Sequence, residues 1–321
     1  MTGTDALLLA LGALAVGSGA LAVATRHLVR AGLYLVLCLA AVAGMYLVLT
    51  AELVAWVQVL IYVGAVVVLL LFAVMLTRAP IGASTDLDRP GWPAALIGGG
   101  TGLGLAALLV DAYRWSSVPL PTAGSAERIG EQIFGSWVLP FEVLSVLLLA
   151  ALVGAIILSR PDIGRSPVDQ AGDSGRDPHR RTPHRGLRRG QAVPVRPVIP
   201  YVTAALLFGL GTYGVLRRRN AILVLIAVEL MLNAVNLILV TADTTVRSQL
   251  PHGGQVFALF VIVLAAAEVG VGLAIVLQLY RMRASVAVDE VPLAEPPSPN
   301  APAEPSAPPP TTAATPGEAD R

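Results

Sequence analysis

Eight long apolar stretches set the pattern of the chain: residues 6–24, 31–50, 53–77, 93–112, 141–159, 198–216, 221–241 and 256–280. Each has about the 20 mostly apolar residues that a helix needs to cross a bilayer. A membrane barrel would instead alternate apolar and polar positions in segments of about 10 residues. These runs are continuous, so they predict an all-α membrane protein with about eight transmembrane helices. The first run begins close to Met1. Asp5 precedes it, where a secretory signal would carry positive charge, so a retained helix is expected. Trp92, Trp115 and Trp137 fall near run ends, which suits the headgroup layer.

The pattern breaks in two places. Between Arg160 and Pro197 stand nine arginines, many Pro, Gly and Asp residues, and no apolar run. Beyond residue 283 the chain is rich in Pro and Ala and sparsely apolar. Both segments read as disordered, since neither buries enough apolar surface to offset the entropy of ordering. The chain therefore divides into a five-helix module (1–160), an Arg/Pro-rich flexible linker (161–197), a three-helix module (198–283) and a disordered tail (284–321).

Loop charges set an orientation, because arginines collect on the cytoplasmic side. Arg26 and Arg30 place the first loop inside and the N-terminus outside; Arg78, Arg89 and the end of the fifth helix then fall inside. In the second module, Arg217, Arg218 and Arg219 place the first loop inside, so the sixth helix begins outside. The two assignments conflict, because the linker leaves from the inside and must arrive from the outside. Its charges and backbone rule out a crossing. Three resolutions stand open at this point: one run does not span, one module inverts against its charge bias, or the modules end up as separate chains.

Composition narrows the function classes. Of the 321 residues, 55% are hydrophobic and 13% charged, against roughly 25% charged in a soluble domain. Mean hydropathy is +0.72. All basic residues are Arg, and the net charge is only +1, so nucleic-acid binding has no global electrostatic support. The one cysteine, Cys38, lies in an apolar run; a lone thiol cannot form an internal disulfide or hold an iron–sulfur cluster. His27, His179, His184 and His252 all lie outside the apolar runs, so none is placed to ligate a haem at membrane depth. The chain is not expected to carry electrons itself.

Two ionisable residues interrupt the apolar runs. Glu229 and Glu268 both sit near the midplane of their helices. A charge there costs about 2.5–3.5 kcal/mol on insertion scales, so such residues are rare and usually functional. A carboxyl that is neutral or charged according to its surroundings is what a proton relay needs. Asn233 and Asn236 follow Glu229 at i+4 and i+7, making one polar stripe. Around Glu268 stand Ala265, Ala266, Ala267, Gly270 and Gly272, small residues that allow close helix approach and leave room for water. The simpler reading makes each Glu a glue between helices. In the first module, the run 53–77 contains Trp56, Gln58, Tyr62 and Gly64. Tyr62 needs a partner for its hydroxyl at that depth, and a neighbouring backbone carbonyl is sufficient. Glu142 begins the fifth run and reads as a dipole-favoured residue at a helix start. Cys38 reads as packing, and the Arg217–Arg219 cluster as a topology signal.

At these residues the chain resembles a known family. The stretches "LLFGLGTYGVLRRRNAILVLIAVELMLNAVNLILV" and "GQVFALFVIVLAAAEVGVGLAIVLQLYR" resemble subunit K of bacterial proton-pumping NADH–quinone oxidoreductase, respiratory complex I. The stretches "AWVQVLIYVGAVVVLLLFAVMLTR" and "LPFEVLSVLLLAALVGAIIL" resemble subunit J of the same complex. The first resemblance places that family's two membrane glutamates on Glu229 and Glu268, and its cytoplasmic-loop pattern on Arg218, Arg219 and Asn220. The second implies a π-bulge in the third helix near Tyr62 to Ala65, a feature often found at functional sites. J and K are usually separate proteins; here they share one chain.

The resemblance implies a fused membrane-arm subunit in which Glu229 and Glu268 relay protons. Tyr62 and Gly64 gate water by helix rearrangement, and Arg218 and Arg219 tune the cytoplasmic mouth. No cofactor is expected on this chain; NADH, FMN, iron–sulfur clusters and quinone are expected on other subunits. The implied partners are antiporter-like and quinone-site subunits of the membrane arm, together with the lipid of the bacterial plasma membrane. Two other classes remain open from the residues alone: a subunit of a multisubunit cation/proton antiporter, and a structural scaffold.

Overall fold

The computed structural model describes residues 2–76, 90–113, 116, 118–119, 125–160, 194–245 and 252–283. Residues 161–193 of the linker expected from composition and the whole tail lie outside the described residues, as do Arg78, Arg89 and Trp115. The last linker residues, 194–197, are described and are not free coil, since Pro194–Val195 pair with Val118–Pro119 and the Arg196 amide donates to Asp5. In chain order the elements are α1 (Gly3–Ala24), α2 (Leu28–Val48), α3 (Glu52–Val57), a π-helical stretch (Gln58–Val66) and α4 (Val67–Leu76). Next come α5 (Gly91–Tyr113), β1 (Val118–Pro119), α6 (Ala126–Ser136) and α7 (Val138–Ser159). The second half holds β2 (Pro194–Val195), α8 (Val198–Arg217), α9 (Ala221–Thr245) and α10 (Gly253–Arg283). With α3, the π stretch and α4 forming one continuous helix, the described residues supply eight helices long and apolar enough to cross a membrane. The protein is a multi-pass, all-α membrane protein; among the described residues two short strands form one antiparallel pair, Val118 opposite Val195.

Local chemistry fixes the helix ends. Thr2 and Asp5 form a reciprocal capping box at the start of α1. Asn220 caps α9 by accepting from the amides of Ile222 and Leu223 at 3.0 and 3.3 Å. Ser125 starts α6, an amphipathic helix in the loop before α7 whose Ile129 is buried. α7 begins at Val138, four residues before Glu142, so the dipole role expected of Glu142 does not hold: it is exposed in the second turn.

The helices of the two halves interleave. α8 packs against α1 and α5, α9 against α2, and α10 against α7 and the π stretch. In lipid no hydrophobic force drives helices together, so close packing must do it. The α5–α8 crossing shows how. Gly98 and Gly102 lie one turn apart on α5 and face Gly209 on α8; a Cβ at Gly209 would stand 2.6 Å from Gly102 Cα and 2.7 Å from the Gly98 carbonyl oxygen. Only glycine permits this backbone approach. By contrast, α7 has no buried residue.

Cross-element contacts define two ends of the bundle. At one end Asp5 accepts from the Arg196 amide at 3.1 Å, Tyr113 stacks on Tyr201 at 4.6 Å, and Tyr201 bonds Thr245 at 3.0 Å. Asp243 accepts from the Gly254 amide, and Trp137 packs on Phe257, at the same end. At the other end lie Arg26, Arg30 and Arg217 to Arg219, and the Arg281 guanidinium donates to the Ser159 carbonyl at 2.6 Å. The arginine-rich loops of both halves therefore share one face, as their charges predicted for each half separately.

Candidate functional site

Polar residues gather where α2, the π stretch and α9 meet. Tyr46 on α2, Gln58 and Tyr62 on the π stretch, and Asn233 and Asn236 on α9 are fully buried, and Glu229 is 1% exposed. Glu229, Asn233 and Asn236 share a face because α9 is regular and their spacing is i, i+4, i+7. On the facing helix the π geometry brings Gln58 and Tyr62 inward together.

One hydrogen bond ties the two halves at this level. Gln58 Nε2 donates to Asn233 Oδ1 at 2.5 Å, and Asn233 Nδ2 in turn donates to the Glu229 carbonyl at 2.9 Å. The side chain of Asn233 is thus held in one orientation from both sides. Its neighbours are not. Among the described residues, both carboxyl oxygens of Glu229, the hydroxyls of Tyr46 and Tyr62, Gln58 Oε1 and both amide atoms of Asn236 are buried without a hydrogen-bond partner. The Tyr62 hydroxyl lies within electrostatic range of Glu229, Glu268 and Tyr46, but short of a well-formed hydrogen bond to any of them. Buried polar atoms are normally satisfied, so a run of unsatisfied ones sets this cluster apart from ordinary helix packing.

The two membrane glutamates occupy different settings. Glu268 is exposed, on an outward stripe of α10 shared with Phe257, Leu264 and Ile275. It remains within electrostatic range of Glu229. Gly64 is also on an exposed side of its helix, with the nearest atom to an added Cβ being the Val59 carbonyl oxygen at 3.6 Å. A methyl group fits there, so Gly64 is not a steric necessity.

Arg218 is 3% exposed and reaches across the halves. Its Nη2 donates to the carbonyls of Val23, Ala24 and Thr25, the last at 2.9 Å. These are end carbonyls of α1, which lack partners within the helix. A guanidinium there satisfies them and complements the helix dipole. Arg219 is half-buried beside it. Cys38 is buried.

Sequence reasoning passed over Tyr46 and gave Gln58 no role. Gln58 carried a signal: it is the one amide in the apolar run 53–77. The spacing Gly98–Gly102 was likewise readable as a close-packing motif. Tyr46 gave none, since a tyrosine in an apolar run is ordinary until its neighbours are known.

Comparison with known proteins adds an independent line. Residues 18–158 match the family described as NADH-ubiquinone/plastoquinone oxidoreductase chain 6, and residues 199–295 match chain 4L of the same oxidoreductase. Over 108 residues the chain is 56% identical to NADH-quinone oxidoreductase subunit K 2 of Streptomyces avermitilis, covering 32% of this chain and 83% of that protein. The corresponding protein of Streptomyces griseus is 62% identical over 92 residues, which span 29% of this chain and 62% of the relative's length. Over 151 residues the chain is 41% identical to F(420)H(2) dehydrogenase subunit J of Methanosarcina mazei, covering 44% of this chain and 83% of that one.

Proposed function

The chain belongs to the chain 6 (subunit J) and chain 4L (subunit K) families of quinone oxidoreductases, both in tandem, and we propose that it forms part of the proton path in the membrane arm of an NADH–quinone oxidoreductase. NADH oxidation and quinone reduction belong to other subunits, which hold FMN and iron–sulfur clusters. This chain supplies carboxyls at mid-membrane depth. The observation that carries the reading is the buried, unpartnered polar cluster around Glu229, at the seam between the two halves.

The chemistry follows from the geometry. Glu229 takes a proton on a carboxyl oxygen and passes it through Tyr62 or water to the next acceptor. Glu268, on the outward face of α10, hands the proton to a neighbouring antiporter-like subunit. An outward carboxyl at this depth is costly against lipid, so this face supports a subunit contact. The π stretch sits between the arms of the cluster. A π turn holds one residue more than an α turn, so converting it rotates Tyr62 and opens or closes the water path. Arg218 and Arg219 shape the cytoplasmic mouth, with Arg218 fixing α1 to α8. The site lies in the bacterial plasma membrane.

The test uses inside-out membrane vesicles carrying wild-type chain or Glu229→Gln at equal assembly. Glu229→Gln is expected to lower NADH-driven acidification on the order of 10²-fold, the scale of a lost acid–base group, with quinone reduction falling alongside. Unchanged acidification removes Glu229 from the path and moves the antiporter and scaffold readings ahead.

A second electron donor has one observation behind it: the relative of the first half from Methanosarcina mazei is named for F(420)H(2). Donor choice rests with subunits other than this one. Exchange of NADH for reduced F420 in the same vesicle assay separates the two.

A further inference from the structure

We infer that the two halves work in the membrane as two polypeptides, with the chain interrupted between α7 and α8. This goes beyond the proton-path reading and does not depend on it. The argument starts from where the described ends of the two halves lie.

α7 ends at Ser159, whose carbonyl accepts from Arg281 at the end of α10. α10 begins at the opposite end of the bundle, where the Gly254 amide donates to Asp243 and Phe257 packs on Trp137 at the start of α7. Ser159 and Arg160 therefore lie on the arginine-rich face, one full helix length from the start of α7. The second half begins on the other face. Val195 pairs with Val118, the Arg196 amide donates to Asp5 at the start of α1, and Tyr201 stacks on Tyr113 at the end of α5. α7 is one of the eight helices long and apolar enough to cross a membrane; taken to span, it puts a bilayer between Arg160 and Pro194.

Residues 161–193 would have to bridge that gap. Length is no obstacle, since 33 extended residues reach about 110 Å. Polarity is the obstacle. The segment holds seven Arg and four Asp, and no more than two consecutive aliphatic residues. Only a helix or a closed barrel satisfies its own backbone in hydrocarbon, and a spanning helix needs about 20 apolar residues. No such run exists here.

The other resolutions of the sequence conflict do not survive the packing. All eight runs form helices long and apolar enough to cross a membrane, and α7 reaches from Phe257 near the start of α10 to Arg281 near its end, so it runs the length of a spanning helix. The second half cannot turn over, because α8 is held at both ends. Asp5–Arg196 and Tyr113–Tyr201 fix one end, and Arg218 on the Val23, Ala24 and Thr25 carbonyls fixes the other. The arginine-rich loops of both halves already share a face, so turning either half would put its arginines on the wrong side. An unbroken chain cannot satisfy this topology, whereas two chains satisfy it at once.

One route gives this product. A host endopeptidase adds water across one peptide bond, leaving a new carboxylate and a new amine. The experiment places one epitope at the N-terminus and another at the C-terminus of the full chain, in cells that make the whole complex. Membranes are taken directly into denaturant with protease inhibitors, and the purified complex is blotted for both epitopes. The expected result is two bands, each carrying one epitope and each well below the 33.3 kDa of the full chain. The N-terminal residue of the second band then marks the bond that is cut. A single band of full size carrying both epitopes in the assembled membrane complex overturns the inference. Reporters placed after Ser159 and before Pro194 give a second reading. They are expected on opposite sides of the membrane, and finding both on one side overturns the topology on which the inference stands.

Discussion

The helix faces around Glu229 and Glu268 carry the same residue at the same depth and put it to different use. On α9 the carboxyl is buried at a three-way junction, in a cluster with three amides and two tyrosines. On α10 it stands on an outward stripe with Phe257, Leu264 and Ile275. The first setting excludes solvent and holds the group among partners that lack satisfaction of their own. The second relies on whatever packs outside. A charge in hydrocarbon is tolerated only when a neighbour or water shares it; the inner group has polar neighbours within the chain, and the outer one is proposed to have its neighbour on an adjoining subunit. In the proposed relay, Glu229 is the fixed station and Glu268 the hand-over station.

The largest expected effect removes the comparison altogether. Gly209→Leu drives a side chain into α5, whose backbone already stands within 3 Å of an added Cβ. The α5–α8 contact and with it the seat of α9 are lost, and assembled complex in the membrane should fall below detection on a native gel. Normal assembly would mean that this crossing does not hold the halves together.

Next in size is the difference between the two carboxyls. Glu268→Gln is expected to lower coupled proton transfer by about tenfold, less than the loss at Glu229, because water and an adjoining subunit reach an outward group. Equal losses at both positions would erase the distinction drawn from burial. Parallel vesicle assays on the two variants decide it.

Gln58→Leu is smaller and sharper. It removes the donor to Asn233 Oδ1 and leaves that oxygen buried without a partner, at a cost of about 1–3 kcal/mol. Asn233 then keeps only its bond to the Glu229 backbone carbonyl. Thermal unfolding of the purified complex should begin at lower temperature, with NADH oxidation on extramembrane subunits unaffected. The replacement should also lower proton transfer more than electron transfer from NADH to an artificial acceptor.

The smallest effect falls on the π stretch. Gly64→Ala has room for its methyl group and gains about 1 kcal/mol of helix propensity. If turnover requires this stretch to rearrange, the variant assembles normally yet turns over several times more slowly. An unchanged rate would leave the π geometry as static architecture.

Much of this was written in the chain itself. Uninterrupted apolar runs fix both the solvent and the element type, because hydrocarbon forces each segment to satisfy its own backbone. The eight spans, the arginine loops and the stripe of Glu229, Asn233 and Asn236 follow from local spacing, and local spacing is what a helix preserves. Two glutamates in apolar runs were visible for the same reason. Residue order alone could not say which of them is buried, that Gln58 holds Asn233, or that Arg218 closes the end of α1. Those facts depend on which helix faces which, and each joins residues separated by more than a hundred positions. Packing in lipid is set by where small residues let backbones meet, as Gly98, Gly102 and Gly209 do. The tertiary structure therefore decided the site, while the sequence determined the helices that build it.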